Sequence, residues 1–195
     1  MKSEYSMKLF ISALALSILT VSCVSTDTAK SGVTKPEQTV QTNYSSSALP
    51  KNIIMVIGDG MGPAYTTAYR YFNDNPATEI VEETVFDRHL KGMSSTYPAA
   101  VSGVVTDSAA SATALATGFK SYNGAIGIDV NKVPVQTVLE WAKLQDKKTG
   151  IVVTSQINHA TPASYLAHNE SRKNYNAIAD SYVDDGIKAD LYFGG

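Results

Sequence analysis

The sequence has one cysteine, Cys23, in 195 residues. No internal disulfide can form from it, and no cysteine-rich zinc site can be built. Histidine is almost as scarce, with three: His89, His159 and His168. Basic charge is not in excess. Sixteen Lys and Arg stand against 18 Asp and Glu, a net charge of −2. That balance leaves no electrostatic footprint for nucleic acid, and no run of like charge marks an interaction tail. Internal repeats are absent. The apolar run from Leu9 to Val21 is broken by Ser12, Ser17 and Thr20. It is too short for a comfortable membrane span.

That run has another use. Lys2 and Lys8 precede it, and Met7 is an alternative start that leaves Met7-Lys8 as a compact basic head. A basic head before a short apolar stretch is the pattern of a secretory signal, assigned here to residues 1–23. Ser22-Cys23 closes it and resembles a bacterial lipoprotein signal, in which the cysteine carries lipid, although Thr20 stands where an aliphatic residue is preferred. Lipidated Cys23 and a plain cleaved signal peptide are the two routes, and both export the protein. Lipidation predicts membrane anchoring, and the plain signal a periplasmic location. Residues 24–50 follow, with 10 Ser or Thr in 27 positions and almost no large apolar side chain. Such a segment cannot bury enough surface to offset its ordering entropy, and it reads as a disordered linker.

The folded region is expected over residues 51–195. Ile53 to Ile57 is a continuous apolar run, the pattern of a strand buried on both faces of a parallel sheet. It opens into Gly58-Asp59-Gly60-Met61-Gly62-Pro63, where glycines let the backbone turn sharply around a carboxylate, and Pro63 suits the first turn of a helix to about Phe72. Residues 92–97 read as a second strand ended by Pro98, and His89 as a surface histidine. Ser108 to Thr117 is predicted as a helix of small residues stopped by Gly118. Pro134 is predicted to start another, since Val135, Val138, Leu139 and Ala142 share one face. Ile151 to Thr154 reads as a buried strand. A short helix before His168, a helical stripe of Tyr175, Ile178, Ala179 and Tyr182, and a strand over Ala189 to Phe193 complete the pattern. Helices alternating with apolar strands define an α/β class.

Three strand-end loops offer chemistry. Thr106-Asp107-Ser108-Ala109 places a serine at a helix N-terminus, where unpaired N–H groups suit an oxygen nucleophile facing a phosphate. Read alone, Asp107 or Ser108 equally caps a helix, and Asp59 equally caps a Gly-rich turn. Together with His159-Ala160-Thr161 and Arg172 they form a phosphoryl-transfer set. Asp59 can hold or bridge divalent cations, Thr161 offers a hard hydroxyl oxygen for magnesium, and Arg172 can grip two phosphate oxygens with its planar fork.

At these residues the chain resembles the alkaline phosphatases. Gly58-Asp59-Gly60-Met61-Gly62 resembles that family's first metal-ligand loop, and Thr106-Asp107-Ser108-Ala109-Ala110-Ser111-Ala112-Thr113 its nucleophile motif. His159-Ala160-Thr161-Pro162-Ala163, then His168 and Ser171-Arg172, resemble its magnesium and phosphate-arginine segment. The resemblance implies a three-layer α/β sandwich with a mostly parallel central sheet, incomplete in this chain. It implies a zinc- and magnesium-dependent hydrolase of phosphate monoesters. Ser108 attacks phosphorus to form a phosphoserine and also meets zinc. Asp59 bridges zinc and magnesium, and Thr161 binds magnesium. His159 stands at a metal position that is Asp in some members and His in others. Arg172 clamps the phosphate, Asp107 completes the phosphate-binding set by orienting the arginine or the loop, and His168 is either part of the motif or a structural histidine. Family members are often homodimers.

The chain departs from the family in length. The remaining zinc and magnesium ligands lie in the family's carboxyl half, so the expectation is an amino-terminal portion in which the two-zinc site is not complete. The alternative is a non-catalytic, truncated exported lipoprotein remnant. A sulfatase reading fits poorly, because Asp107-Ser108-Ala109 lacks the Cys/Ser-x-Pro-x-Arg context.

Overall fold

The structure is a computed structural model and describes residues 50–184, 186 and 188–195. The expected signal peptide, Cys23 and nearly all of the expected linker lie outside the described residues. Residues 54–195 form one compact unit. Its elements are α1 (Pro63–Phe72), α2 (Val85–His89), α3 (Ser108–Thr117), α4 (Val138–Leu144), β1 (Gly150–Val152), α5 (Ala160–Leu166), α6 (Tyr175–Asp184) and β2 (Leu191–Phe193), with a short 3₁₀ turn at Ala100–Ser102. No helix among the described residues is long and apolar enough to cross a membrane.

The centre of the fold is the packing of α3 on α5. Both helices are built from small residues, so their backbones approach closely. Ala109, Ala112 and Ala116 of α3 are buried, as are Ala160, Ala163 and Ser164 of α5. The α3 ends are fixed locally. The Asp107 carboxylate accepts a hydrogen bond from the Ala110 N–H at 2.9 Å, and Gly118 closes the other end in the left-handed region at φ +80°. Thr113, fully buried, cannot leave its hydroxyl unpaired. It donates to the Ala125 carbonyl at 3.0 Å and accepts from the Gly127 N–H at 3.0 Å. These bonds tie α3 to residues 125–128. That stretch pairs in turn with Asn169, through Ile126 N–H to Asn169 O at 3.0 Å and the reciprocal bond at 2.8 Å. Ile126, Leu166 and Ile178 complete the core. Each contributes about 1.5–3 kcal/mol by leaving water.

The class is α/β. β1 and β2 pair in parallel with Ile151 opposite Tyr192, and α5 and α6 lie in the connection between them. Several sequence expectations change. Residues 53–57 pair with neither strand, and Ile54, Met55 and Val56 are exposed. A strand exists only where a neighbour takes its backbone groups, and none of the described elements does so here. Residues 92–97 are not a strand for the same reason. The stretch around Ile151 is a strand only to Val152, which is exposed rather than buried. The helix predicted from Pro134 starts at Val138. Pro134 and Val135 are already committed to pairing with Ile128 and Gly127. A capping box then starts α4: the Glu140 N–H donates to Thr137 Oγ1 at 3.1 Å and the Thr137 N–H donates to Glu140 at 2.8 Å.

His168 belongs to this framework. Its Nε2 lies 2.9 Å from Glu140 Oε1 and its Nδ1 faces the Gly127 carbonyl. Both neighbours are acceptors, so the imidazolium satisfies both and the neutral ring only one. The hydrogen bond to Glu140 raises the His168 pKa against the effect of burial. His89, as expected, is exposed.

Two predictions follow from this framework. The raised His168 pKa stabilises the fold fully below about pH 6.5, and the stabilisation is lost as pH rises through the folded-state value. Thermal melts should therefore decline through that window, and His168→Gln should flatten the decline; an unchanged profile in the variant contradicts the assignment. Gly127 sits at φ +58°, and a β-carbon there would lie 2.2 Å from the Ala167 carbonyl oxygen. Gly127→Ala should cost more than about 2 kcal/mol by denaturant melts, whereas Gly118→Ala, where the space is open, should cost only about 1 kcal/mol.

Candidate active site

Asp59, Ser108 and Thr161 come from three separate segments and meet at one carboxylate. Ser108 Oγ donates to Asp59 Oδ1 at 2.8 Å, and Thr161 Oγ1 donates to Asp59 Oδ2 at 2.8 Å. Ser108 is the first residue of α3, and Thr161 lies in the first turn of α5. The close α3–α5 packing therefore sets the distance between the two hydroxyls. Asp59 reaches them from the turn after residue 58, where the Met61 N–H donates to the Gly58 carbonyl at 3.1 Å. Burial pushes the Asp59 carboxyl up. The hydrogen bonds from Ser108 and Thr161, with the positive charge of Arg172, outweigh it and hold the pKa below the ordinary value.

A second set adjoins the first. The Asp107 carboxylate divides its oxygens: Oδ1 caps α3, and Oδ2 accepts from Arg172 Nη1 at 3.1 Å. About a quarter of each side chain is exposed, 23 % for Arg172 and 27 % for Asp107. Arg172 Nη2 lies 3.3 Å from His159 Nε2. A guanidinium can only donate, so His159 Nε2 is the acceptor and carries no proton there. That lone pair is the one a metal at Nε2 requires. His159 is the residue before α5, and its side chain makes no capping bond to the helix.

All six folded-region candidates thus fall into two adjoining groups: Asp59, Ser108 and Thr161, and Asp107, Arg172 and His159. The open hollows lined by Lys173–Ala177 and by Gln136, Glu140, Lys143, Leu144 and Lys188 include none of them. His168 lies outside both groups, bonded to Glu140 and Gly127. Cys23 lies outside the described residues. One contributor was not foreseen. Asn123 accepts from the Asp107 N–H, and its neighbour Gly124 accepts from the Arg172 N–H. The only sequence signal was an Asn-Gly pair, which marks a turn and nothing more.

Among the described residues, no three His, Cys, Asp or Glu side chains converge as a metal cluster. The oxygens present fit part of a hard-cation site. Asp59 Oδ2 and Thr161 Oγ1 offer a carboxylate and a hydroxyl in contact, the donor types magnesium takes. Asp59 Oδ1 and Ser108 Oγ form the corresponding pair on the other side. Neither pair is a complete ligand set.

A serine at a helix N-terminus, a carboxylate with a hydroxyl on each oxygen, and an arginine paired with a second carboxylate thus lie side by side. The alkaline phosphatase family model matches residues 50–194. Alkaline phosphatase 3 of Bacillus subtilis is 52 % identical over 149 residues, covering 74 % of this chain and 32 % of that protein. Alkaline phosphatase 4 of the same organism is 55 % identical over 150 residues, with the same coverage of 74 % and 32 %. A crystal structure of a cold-active alkaline phosphatase from a psychrophilic Shewanella superposes with a TM-score of 0.66 at 66 % identity, covering 69 % of this chain and 33 % of that one. A His-to-Glu mutant of the TAB5 alkaline phosphatase, with magnesium bound in its M3 site, superposes with a TM-score of 0.56 at 32 % identity, covering 69 % of this chain and 36 % of that one. The chain belongs to the alkaline phosphatase family. It spans about a third of the length of the curated relatives it matches.

The divided roles of Asp107 can be separated. Asp107→Ala removes both the cap and the Arg172 partner, while Asp107→Asn keeps a cap acceptor. Thermal melts should place Asp107→Ala below Asp107→Asn by about 1 kcal/mol, the usual cost of a lost cap. Equal melting temperatures would show that the cap carries no stability here.

Proposed function

We propose that this chain carries the nucleophile and phosphate-binding residues of a phosphate monoester hydrolase that works through a phosphoserine. The observation that carries the reading is the Asp59 carboxylate, which holds Ser108 and Thr161 at 2.8 Å each beside the Asp107–Arg172 pair. Arg172 binds the phosphate by donating from its fork to two equatorial oxygens. Asp107 keeps the fork aimed and in turn caps the helix that presents Ser108. Ser108 Oγ attacks phosphorus as the ester P–O bond breaks; the proton that Ser108 gives up, now donated to Asp59 Oδ1, passes to solvent, and the departing alkoxide takes a proton from water to leave as the alcohol. Water then releases phosphate from Ser108. Asp59 and Thr161 would hold magnesium, with Asp59 and Ser108 toward zinc and His159 at the margin of the metal site. Such ions, when bound, neutralise phosphate charge and stabilise the serine alkoxide.

The competing reading is a non-catalytic exported remnant. It draws on the absence of a converged three-ligand cluster among the described residues. Export, with or without lipid on Cys23, is proposed from residues 1–23 and homodimer formation from family resemblance.

The test uses p-nitrophenyl phosphate and radiolabelled inorganic phosphate with the protein at its full natural length. The wild type should hydrolyse the ester, bind zinc and magnesium, and incorporate label. Ser108→Ala should abolish labelling and lower kcat by at least about 1,000-fold, as loss of a covalent nucleophile does. Label retained in the variant refutes the nucleophile assignment. A wild type that binds no zinc and hydrolyses nothing favours the remnant.

A further inference from the structure

The nucleophile and the arginine are joined twice. The first link is the side-chain pair of Asp107 and Arg172. The second runs through main chain and depends on residues that carry no charge. Asn123 Oδ1 accepts from the Asp107 N–H at 3.1 Å, and Asn123 Nδ2 donates to the Val105 carbonyl at 2.9 Å. The Asn123 N–H donates to Ser102 Oγ at 2.9 Å. The next residue, Gly124, accepts from the Arg172 N–H at 2.7 Å. The dipeptide therefore brackets the two residues on either side of Thr106, just before Ser108, and also holds the backbone of Arg172.

We infer that Asn123 is a positioning residue for phosphoryl transfer, fixing the Ser108 end of α3 and the backbone of Arg172 in one frame. The inference rests on the hydrolase reading above. The guanidinium sits on a long flexible stem, so the Asp107 contact alone leaves its base free to shift. Holding the Arg172 backbone against the strip that leads into Ser108 removes that freedom. The chemistry requires an amide. One end must accept from an N–H and the other must donate to a carbonyl. A carboxylate would set an acceptor against the Val105 carbonyl, and an aliphatic side chain would serve neither partner. Asn123 itself touches no substrate. It acts through the groups it places, as positioning side chains do when a small displacement costs rate far from the reacting atoms.

The experiment measures kcat/KM for p-nitrophenyl phosphate and inhibition by inorganic phosphate, at the full natural length. Asn123→Ala should lower kcat/KM by about 100-fold and weaken phosphate inhibition, while Asn123→Asp, which keeps the acceptor for the Asp107 N–H, should lose about 10-fold. In an Arg172→Ala background the further loss from Asn123→Ala should shrink below about 3-fold, because the two act as a unit. Equal losses in both backgrounds would show a merely structural role and overturn the inference, as would wild-type kinetics in Asn123→Ala. Should Asn123→Ala fail to melt cooperatively, Asn123→Asp decides: wild-type kcat/KM in that variant overturns the inference. A wild type without hydrolysis overturns the hydrolase reading and this inference with it. An active wild type with unaffected Asn123 variants overturns this inference alone.

Discussion

One carboxylate, that of Asp107, serves helix and site at once. Its first oxygen satisfies an N–H at the start of α3, and its second holds Arg172. Ser108 therefore occupies the first position of a helix whose cap is also the arginine's counterion. Moving the arginine pulls on the cap, and fraying the helix releases the arginine. Ser108 and Arg172, the two groups proposed to face one phosphate, are thus coupled through a single side chain, and the Asn123-Gly124 dipeptide repeats the coupling in the main chain.

That coupling depends on packing that needs very little side-chain volume. α3 and α5 meet through Ala109, Ala112, Ala160 and Ala163, all buried. Alanines bury little area each, so they contribute modestly through the hydrophobic term. What they provide is close backbone approach, which brings Ser108 and Thr161 to the two oxygens of one Asp59 carboxylate. Stability comes from around them, from Ile126, Leu166 and Ile178 and from fully paired buried hydroxyls such as Thr113. The His168–Glu140 contact anchors the start of α4 to the end of α5 and supports the site without belonging to it.

Much of the site was legible in sequence because its determinants are local. A run of small residues after Asp107, with Gly118 at the far end, marks α3, and the structure settles Asp107 rather than Ser108 as its cap. The grouping of Asp59, Ser108, Thr161 and Arg172 followed from four ordered motifs and the family resemblance they carry. What escaped depends on distant contacts or on competition between local signals. The apolar run at Ile53 to Ile57 asks for a paired strand, but no neighbour among the described residues takes it up. Pro134 is a sound first-turn residue, yet pairing with Ile128 removed it from the helix and Thr137 with Glu140 supplied the real start. Asn123 acts on a residue sixteen positions away, and no periodicity or cap rule records such a contact.

The central claim is that Ser108 attacks a phosphorus atom held by Arg172. A crystal structure of the protein at its full natural length with vanadate, a mimic of the pentacoordinate phosphoryl group, tests it most directly. The account predicts vanadium bonded to Ser108 Oγ, two of its oxygens accepting from the Arg172 guanidinium, and Asp107 still bound to that guanidinium. Vanadate seated elsewhere, with Ser108 Oγ still on Asp59 and Arg172 without an anion, would contradict it.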